Sequence, residues 1–454
     1  MPLHPKALPP CSGAHKRPGL VLALAVFLLF PVAAHADTEK TYGDLTQPER
    51  IEFIQTAIAN NDIDLAARLL RHSRFSEGDL GYKAAYLQAV VLRRQGRAAE
   101  AEALLRKILT ERPEFDLVRQ ELAVTMMAQG NSQGARYHLR LLADAARDPD
   151  VRDQFEGFID RMDGGRKFRV GGYISIAPDS NFNNGSDHEV IYVNGIPFVI
   201  DGNSRARSGI GLIGGLNASY THDLTESLSA YTAGSVAQTL YRESDYNNTT
   251  GDIRFGLSWK QGATQIAAES IFDRRWYAGD PYDYGMGGRV YGRTVLSPKF
   301  VYSGEVRVIN RHYDDRPDAE RTNLRATGKL SYIHQPYEIY SLELGVEREN
   351  VPRQSFNSFT GGFVEAGLQK ELPFGINGGF FAKIGVQGFD SDFPGMTEAR
   401  QDKSLRLHAN FLKRDFSYAG FTPRLGLTYY RQWSNVSLYD YDKYGMDITL
   451  TKDF

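Results

Sequence analysis

Cysteine is nearly absent: Cys11 is the only one in 454 residues, and it precedes the first apolar run, where a lipid-anchored leader would need it behind. The rest of the chain can therefore carry no disulfide, thiolate metal site or thiol nucleophile. Net charge is also small, at −2, which excludes a global pull toward nucleic acid. Long apolar runs are missing too. The one continuous run, Leu20 to Phe30, is shorter than the roughly 20 residues that a membrane helix needs. H-E-x-x-H, G-x-S-x-G and P-loop patterns do not occur. Gly209-x-Gly211-x-x-Gly214 matches a dinucleotide fingerprint in letters only, because it sits in an alternating strand with no helix after it. His312, followed by Asp314 and Asp315, reads as part of a solvated loop. The expectation is no enzyme, no cofactor, and no catalytic, cofactor-binding or metal residues.

The amino end reads as an export signal. Lys16 and Arg17 precede the apolar run, and Ala34-His35-Ala36 forms a cleavage site, so residues 1–36 are expected to be removed and 37–46 to form a linker. Mean hydropathy is only −0.40, yet a chain of this hydropathy can span a membrane as a β-barrel, because only alternate residues then face lipid. The composition suits that reading: 44 glycines, 25 tyrosines and 25 phenylalanines, crowded into the second half.

The pattern changes at Gly164-Gly165. Residues 47–163 read as helices with a 34-residue period. Ala67, Ala101 and Ala135 keep that spacing, as do Gly96 and Gly130, and Leu105 and Leu139. This is the tetratricopeptide period, in which small residues sit where paired helices cross. Helix pairs are expected at 48–59 and 61–73, 82–95 and 97–110, and 116–129 and 131–146. Segment 150–162 would cap them. Asp62 stands in the first repeat where the later two have glycine.

Residues 167–454 alternate with period two. Phe168, Val170, Gly172, Ile174 and Ile176 share one face, and Leu324, Ala326, Gly328, Leu330 and Tyr332 another. Arg254, Lys260, Glu305, Arg307, Glu343, Glu347, Glu365, Lys383, Arg406 and His408 lie on the opposite face of their strands. Fourteen segments qualify: 167–177, 207–221, 226–241, 247–260, 263–277, 282–296, 298–312, 320–335, 337–349, 358–372, 374–389, 401–415, 418–433 and 442–454. They are longer than ordinary soluble strands. Trp276-Tyr277, Tyr429-Tyr430, Trp433, Tyr439 and Tyr441 read as interfacial girdles, and Phe454 as a terminal assembly signal. An even strand count puts both ends of the barrel in the periplasm. Short turns are expected there at 222–225, 261–262, 297, 336, 373 and 416–417. Longer outward loops are expected at 178–206, 242–246, 278–281, 313–319, 350–357, 390–400 and 434–441. Within the first of these, Asn194-Gly195 between apolar arms predicts a hairpin. It either packs on itself or offers its apolar arms to the pore mouth or a passing chain; were it part of the wall, the barrel would have sixteen strands.

The fold class expected is thus an α-solenoid of tetratricopeptide type followed by a 14-stranded antiparallel transmembrane β-barrel. This combination, with the strand opening Phe168-Arg-Val-Gly-Gly-Tyr173 and the run Ala177-Pro-Asp-Ser-Asn-Phe182, resembles the surface lipoprotein assembly modulator family (Slam), the outer-membrane component of the type XI secretion system. The resemblance implies a translocator that moves surface lipoproteins, or soluble haem- or metal-binding proteins, across the outer membrane of a Gram-negative cell. It implies cargo, outer-membrane lipid and the barrel-assembly machinery as partners, and no nucleic acid; a monomer is expected. Repeat register places Lys83, Tyr86, Arg93, Arg94, Gln120 and Met127 on the concave face where cargo would dock, with packing an equal alternative for Tyr86 and Met127. An exopolysaccharide export porin and a passive small-solute channel are the competing readings.

Overall fold

The computed structural model describes residues 41–453, apart from 113, 146–148, 163–166, 194–195, 298, 336–337, 373–375 and 414–420. The expected export signal, the Gly164-Gly165 junction, the Asn194-Gly195 turn, the turns at 336, 373 and 416–417, and Phe454 lie outside the described residues. Tyr42–Asp44 form a single 3-10 turn.

Seven helices come first: α1 (Gln47–Ala59), α2 (Ile63–His72), α3 (Asp79–Arg94), α4 (Ala98–Glu111), α5 (Asp116–Ala128), α6 (Ser132–Ala145) and α7 (Pro149–Met162). They form a tetratricopeptide-like helical region. Ala67, Ala101 and Ala135 are all buried, as the 34-residue spacing requires, with Leu105 and Leu139 packed in one cluster with Ala101 and Ala135. Turns between paired helices need a left-handed residue, which Gly96 and Gly130 supply at φ 79° and 78°. In the first repeat the same job falls to Asn61, at φ 63°, one residue ahead of the expected place. Asp62 is then free to cap α2, its side chain accepting from the Leu65 amide at 3.1 Å. No helix among the described residues is long and apolar enough to cross a membrane.

The second region is a closed barrel. β1 (Phe168–Asp179) leads into a long excursion that holds β2 (Val190–Val193) and β3 (Ile196–Val199). The wall continues with β4 (Gly209–Asp223), β5 (Leu228–Leu240), β6 (Asn248–Gln261), β7 (Thr264–Tyr277), β8 (Asp280–Ser297), β9 (Phe300–Tyr313) and β10 (Arg321–Gln335). It is completed by β11 (Glu338–Asn350), β12 (Phe359–Leu372), β13 (Ile376–Asp392), β14 (Ala399–Lys413), β15 (Thr422–Ser434) and β16 (Tyr441–Asp453). Each wall strand pairs antiparallel with its neighbours, and β1 closes on β16, giving fourteen strands. β2 and β3 pair only with each other, so the sixteen-stranded alternative is dropped. The base of that excursion is fastened to the start of β16 and the turn before it: Ser186 Oγ donates to the Ser437 carbonyl at 2.8 Å, and Asp187 accepts from the Asp442 amide at 2.7 Å. The apolar arms stay exposed, Val199 to 78%.

Alternation sorts the side chains as a bilayer demands. Ile174, Leu216, Phe255, Val290, Val306, Leu344, Ile384 and Ile448 point outward and are exposed, whereas Ser175, Glu269, Asp402 and Thr449 on the inner face are buried. Inner glycines take aromatic rings against the wall: a Cβ at Gly256 would strike Tyr231, and one at Gly345 would strike Phe363. Two expectations need correcting. Tyr430 lies on the inner face with Tyr441 beside it, at 5.7 Å between centroids, so neither belongs to an outer girdle; a period of two cannot turn both Tyr429 and Tyr430 outward. The expected loop at 278–281 is a two-residue turn, Ala278-Gly279, with φ 54° and 97°, the double left-handed geometry that matches hairpin twist.

An arginine at Ile384, midway along β13 on the outer face, is expected to cost roughly 2–4 kcal/mol of folding free energy in lipid vesicles. Ala237→Arg on the inner face of β5 should cost well under half of that. Equal losses in guanidinium titrations of the two variants would refute the assignment of faces.

Candidate functional site

Two surfaces offer themselves: the helical repeats and the inner wall. Lys83 on α3 is exposed; Arg94, also exposed, donates to Asn61 Oδ1 at 3.2 Å. Gln120 on α5 is half-buried. The other three candidates are held by packing or pairing. Tyr86 wedges between the two apolar clusters of the repeats, and Met127 packs on the cluster formed by the second and third. Arg93 reaches Glu121 of α5 at 2.5 Å. Burial, reinforced by the Glu121 carboxylate and opposed by Arg93, pushes the Tyr86 phenol up to about 12. The structure thus joins Tyr86, Arg93 and Met127 into one inter-repeat seam with Glu121 and leaves Lys83 and Arg94 at the surface.

The helices meet the barrel at residues that the sequence does not single out. Arg119 of α5, fully buried, pairs with Glu371 at the end of β12 at 2.9 Å, and His138 of α6 stands 3.3 Å from the same guanidinium. Tyr137 of α6 donates to Asn377 at the start of β13. Across the ring, Lys260 at the end of β6 pairs with Glu156 of α7 at 2.9 Å. Glu371, Asn377 and Lys260 all occupy inner-face positions at the rim carrying the short turns. β6 and β12 are six strands apart in a ring of fourteen, so the contacts fall on nearly opposite sides. The helices therefore lie across that mouth. The sequence gives no signal of this contact, because the partners Arg119 and Glu371 are 252 residues apart.

The inner wall is charged with both signs, mostly paired. Near the long-loop rim the fully buried Asp283 takes Arg275 and Arg311, and Arg311 also reaches Asp273 at 2.9 Å. Arg321 pairs with Glu349 at 2.9 Å and Arg400 with Asp402 at 2.8 Å. Inward carboxylates in so low a dielectric need such partners. His312 is engaged by Glu320 at 3.2 Å and stacks on Tyr284. Among the described residues no three His, Cys, Asp or Glu side chains come together as a metal site.

A family model described as surface lipoprotein assembly modifier matches residues 168–454, and a tetratricopeptide repeat model matches residues 92–153. Surface lipoprotein assembly modifier 1 of Neisseria meningitidis is 22% identical over 381 residues, covering 82% of this chain and 76% of the relative. The protein of the same name from Haemophilus influenzae is 20% identical over 380 residues, covering 81% and 77%. Among solved structures, Salmonella typhi OmpF aligns over 63% of this chain and 97% of its own, with a TM-score of 0.38 and 7% identity. Acinetobacter baumannii OccAB4 aligns over 63% and 98%, with a TM-score of 0.34 and 9% identity. Likeness at that level carries no functional information.

Two outcomes are expected. Below pH 10 the Tyr86 phenol is neutral in both folded and unfolded chains. Between pH 10 and about 12 unfolding releases its proton, so stability present below that window is lost as the pH rises through it. The full loss is about 2–3 kcal/mol. Tyr86→Phe should flatten this fall in the helical circular-dichroism melt; an unchanged profile would place Tyr86 in water. Separately, Glu371→Ala together with Lys260→Ala should raise the open probability in planar-bilayer recordings, because removing one partner of a buried pair costs about 3–5 kcal/mol. Identical traces would mean that the helices do not obstruct the mouth.

Proposed function

Because the chain belongs to the surface lipoprotein assembly modifier family, we propose that it is an outer-membrane translocator that delivers specific proteins to the cell surface or medium. Its cargo would be surface lipoproteins or soluble haem- or metal-binding proteins, as the relatives' name and the resemblance to type XI secretion suggest. The observation that carries this reading is the family match across every strand of the wall, joined to helices that span one mouth.

In this reading residues 1–36 are an export signal, 37–46 a linker, 47–163 a periplasmic repeat domain, and 167–454 the barrel that the assembly machinery inserts. A periplasmic position for the repeats is supported by the rim they touch, which carries the short turns typical of the inner side. The protein acts as a monomer and performs no chemistry. Cargo meets the repeats first, at Lys83, Arg94 and Gln120, which the inter-repeat seam of Tyr86, Arg93 and Met127 holds in place. Cargo binding shifts the helices off the mouth, the chain enters, and folding outside supplies the drive. A lumen with charges of both signs, mostly neutralised in pairs, offers a passing polypeptide few strong traps.

The test is surface display of a co-expressed neighbouring secreted protein. Deleting 47–163 with the signal and barrel retained should abolish display. Lys83→Glu with Arg94→Glu should reduce it several-fold while the helices still melt normally. Display unaffected by the deletion would remove the repeats from the export mechanism.

A further inference from the structure

Like charges meet in register at several places on the inner wall, among them Glu343↔Glu365 and Lys383↔Arg406, and at one of them a buried cationic donor is also left over. Midway along β8, β9 and β10, Arg289 pairs in register with Arg307, and Arg307 with Arg325. Like charges placed directly opposite each other weaken an antiparallel pair. Arg289 is compensated by Glu269 at 2.7 Å and Glu305 at 3.2 Å. Arg325 faces Glu347 in register and lies over the Phe363 ring at 5.0 Å. Arg307 has neither kind of support among the described residues: it makes no ion pair, and its Nε is buried with no hydrogen-bond partner. Leaving a desolvated donor without an acceptor is unfavourable, and more so on a cation.

A cavity of about 490 Å³ opens on this guanidinium. Its charged lining is Arg293, Arg307, Arg325 and Lys329 against Glu305 and Glu343. Glu305 is engaged by Arg289, and Glu343 faces Lys329 in register. The space beside Arg307 and Arg325 therefore keeps an excess of positive charge and an unused donor.

We infer that this cavity is an oxyanion-binding site, with Arg307 as its principal ligand and Arg325 at its flank. A guanidinium fork recognises phosphate and carboxylate through paired, charge-assisted hydrogen bonds. The oxyanion comes either as free inorganic phosphate or as the acidic side chains of a polypeptide within the lumen. The phosphate source stands apart from the export role, whereas the polypeptide source rests on it, so loss of export would remove that source and leave a phosphate response standing.

The experiment uses the full-length protein in detergent micelles and follows thermal unfolding by the heat-induced gel shift. It compares potassium chloride, potassium phosphate and a capped tetraglutamate peptide in chloride, all at one ionic strength. Phosphate strengthens burial in any protein, so the readout is the difference between wild type and Arg307→Gln. The wild type should gain unfolding temperature with phosphate, with the peptide, or with both, and the responding probe names the source of the oxyanion. Arg307→Gln should lose most of that gain, and in chloride alone it should melt above the wild type, because the repulsion has been relieved. Arg325→Gln should show the same pattern more weakly, and it serves if the first variant does not fold. Equal gains in wild type and variants, or no gain with either probe, would overturn the site.

Discussion

The structure depends on one constraint: within lipid, every backbone N–H and C=O must find its partner inside the protein. A sheet meets this only by closing, and here closure rests on β1 finding β16. That seam keeps one register throughout but is interrupted once. Pairing runs from Gly171↔Asp453 to Ile176↔Ile448 and resumes at Asp179↔Gly445. Pro178 lies in the gap, because it has no N–H to give; on its other side β1 pairs with β4 without a break. Side chains on the inner face reinforce the join. Thr449 donates to Ser175 at 2.8 Å, both buried, and Lys443 reaches Asp179 at 3.3 Å.

Closure also dictates the chemistry of the lumen. Once alternate residues are given to lipid, the others must line a narrow interior, and this chain fills it with charge. Charges there gain from partners, and much of the wall is built as ion pairs between adjacent strands, with Asp283 held by two arginines as the clearest case. Other cations of this wall lie against rings instead, as Arg325 and Lys383 do at Phe363; Arg307 has neither an ion pair nor a ring among the described residues.

Much of this was legible in the sequence, and the reason is periodicity. An inner-outer alternation sustained over 12 to 18 residues per strand admits few structures, and the fourteen strands and the buried Ala67, Ala101 and Ala135 follow from repeats that any reader can count. What could not be read is whatever depends on a partner distant in sequence. Arg119 and Glu371 look like ordinary surface charges until the helices are set against the rim. Tyr430 and Tyr441 look like girdle aromatics until the register shows which way β15 faces. Turns were misread where an unexpected residue took a left-handed conformation, as Asn61 and Ala278 do. Of the six repeat residues chosen for cargo, Lys83 and Arg94 stand clear at the surface; Tyr86, Arg93 and Met127 are engaged in the seam between repeats, which a spacing rule alone cannot distinguish from a binding face.

The contacts across the mouth are unequal, and the inequality has mechanical meaning. Lys260 and Glu156 form a largely exposed pair, of a kind that contributes about 0–1 kcal/mol. Arg119 is fully buried against Glu371, with Tyr137 bonded to Asn377 beside it, and breaking a buried pair of that kind costs about 3–5 kcal/mol. Among the described contacts the hold on the rim is therefore firmer on the β12–β13 side than at β6, and it is firmest beside α5, the helix that carries both Arg119 and Gln120.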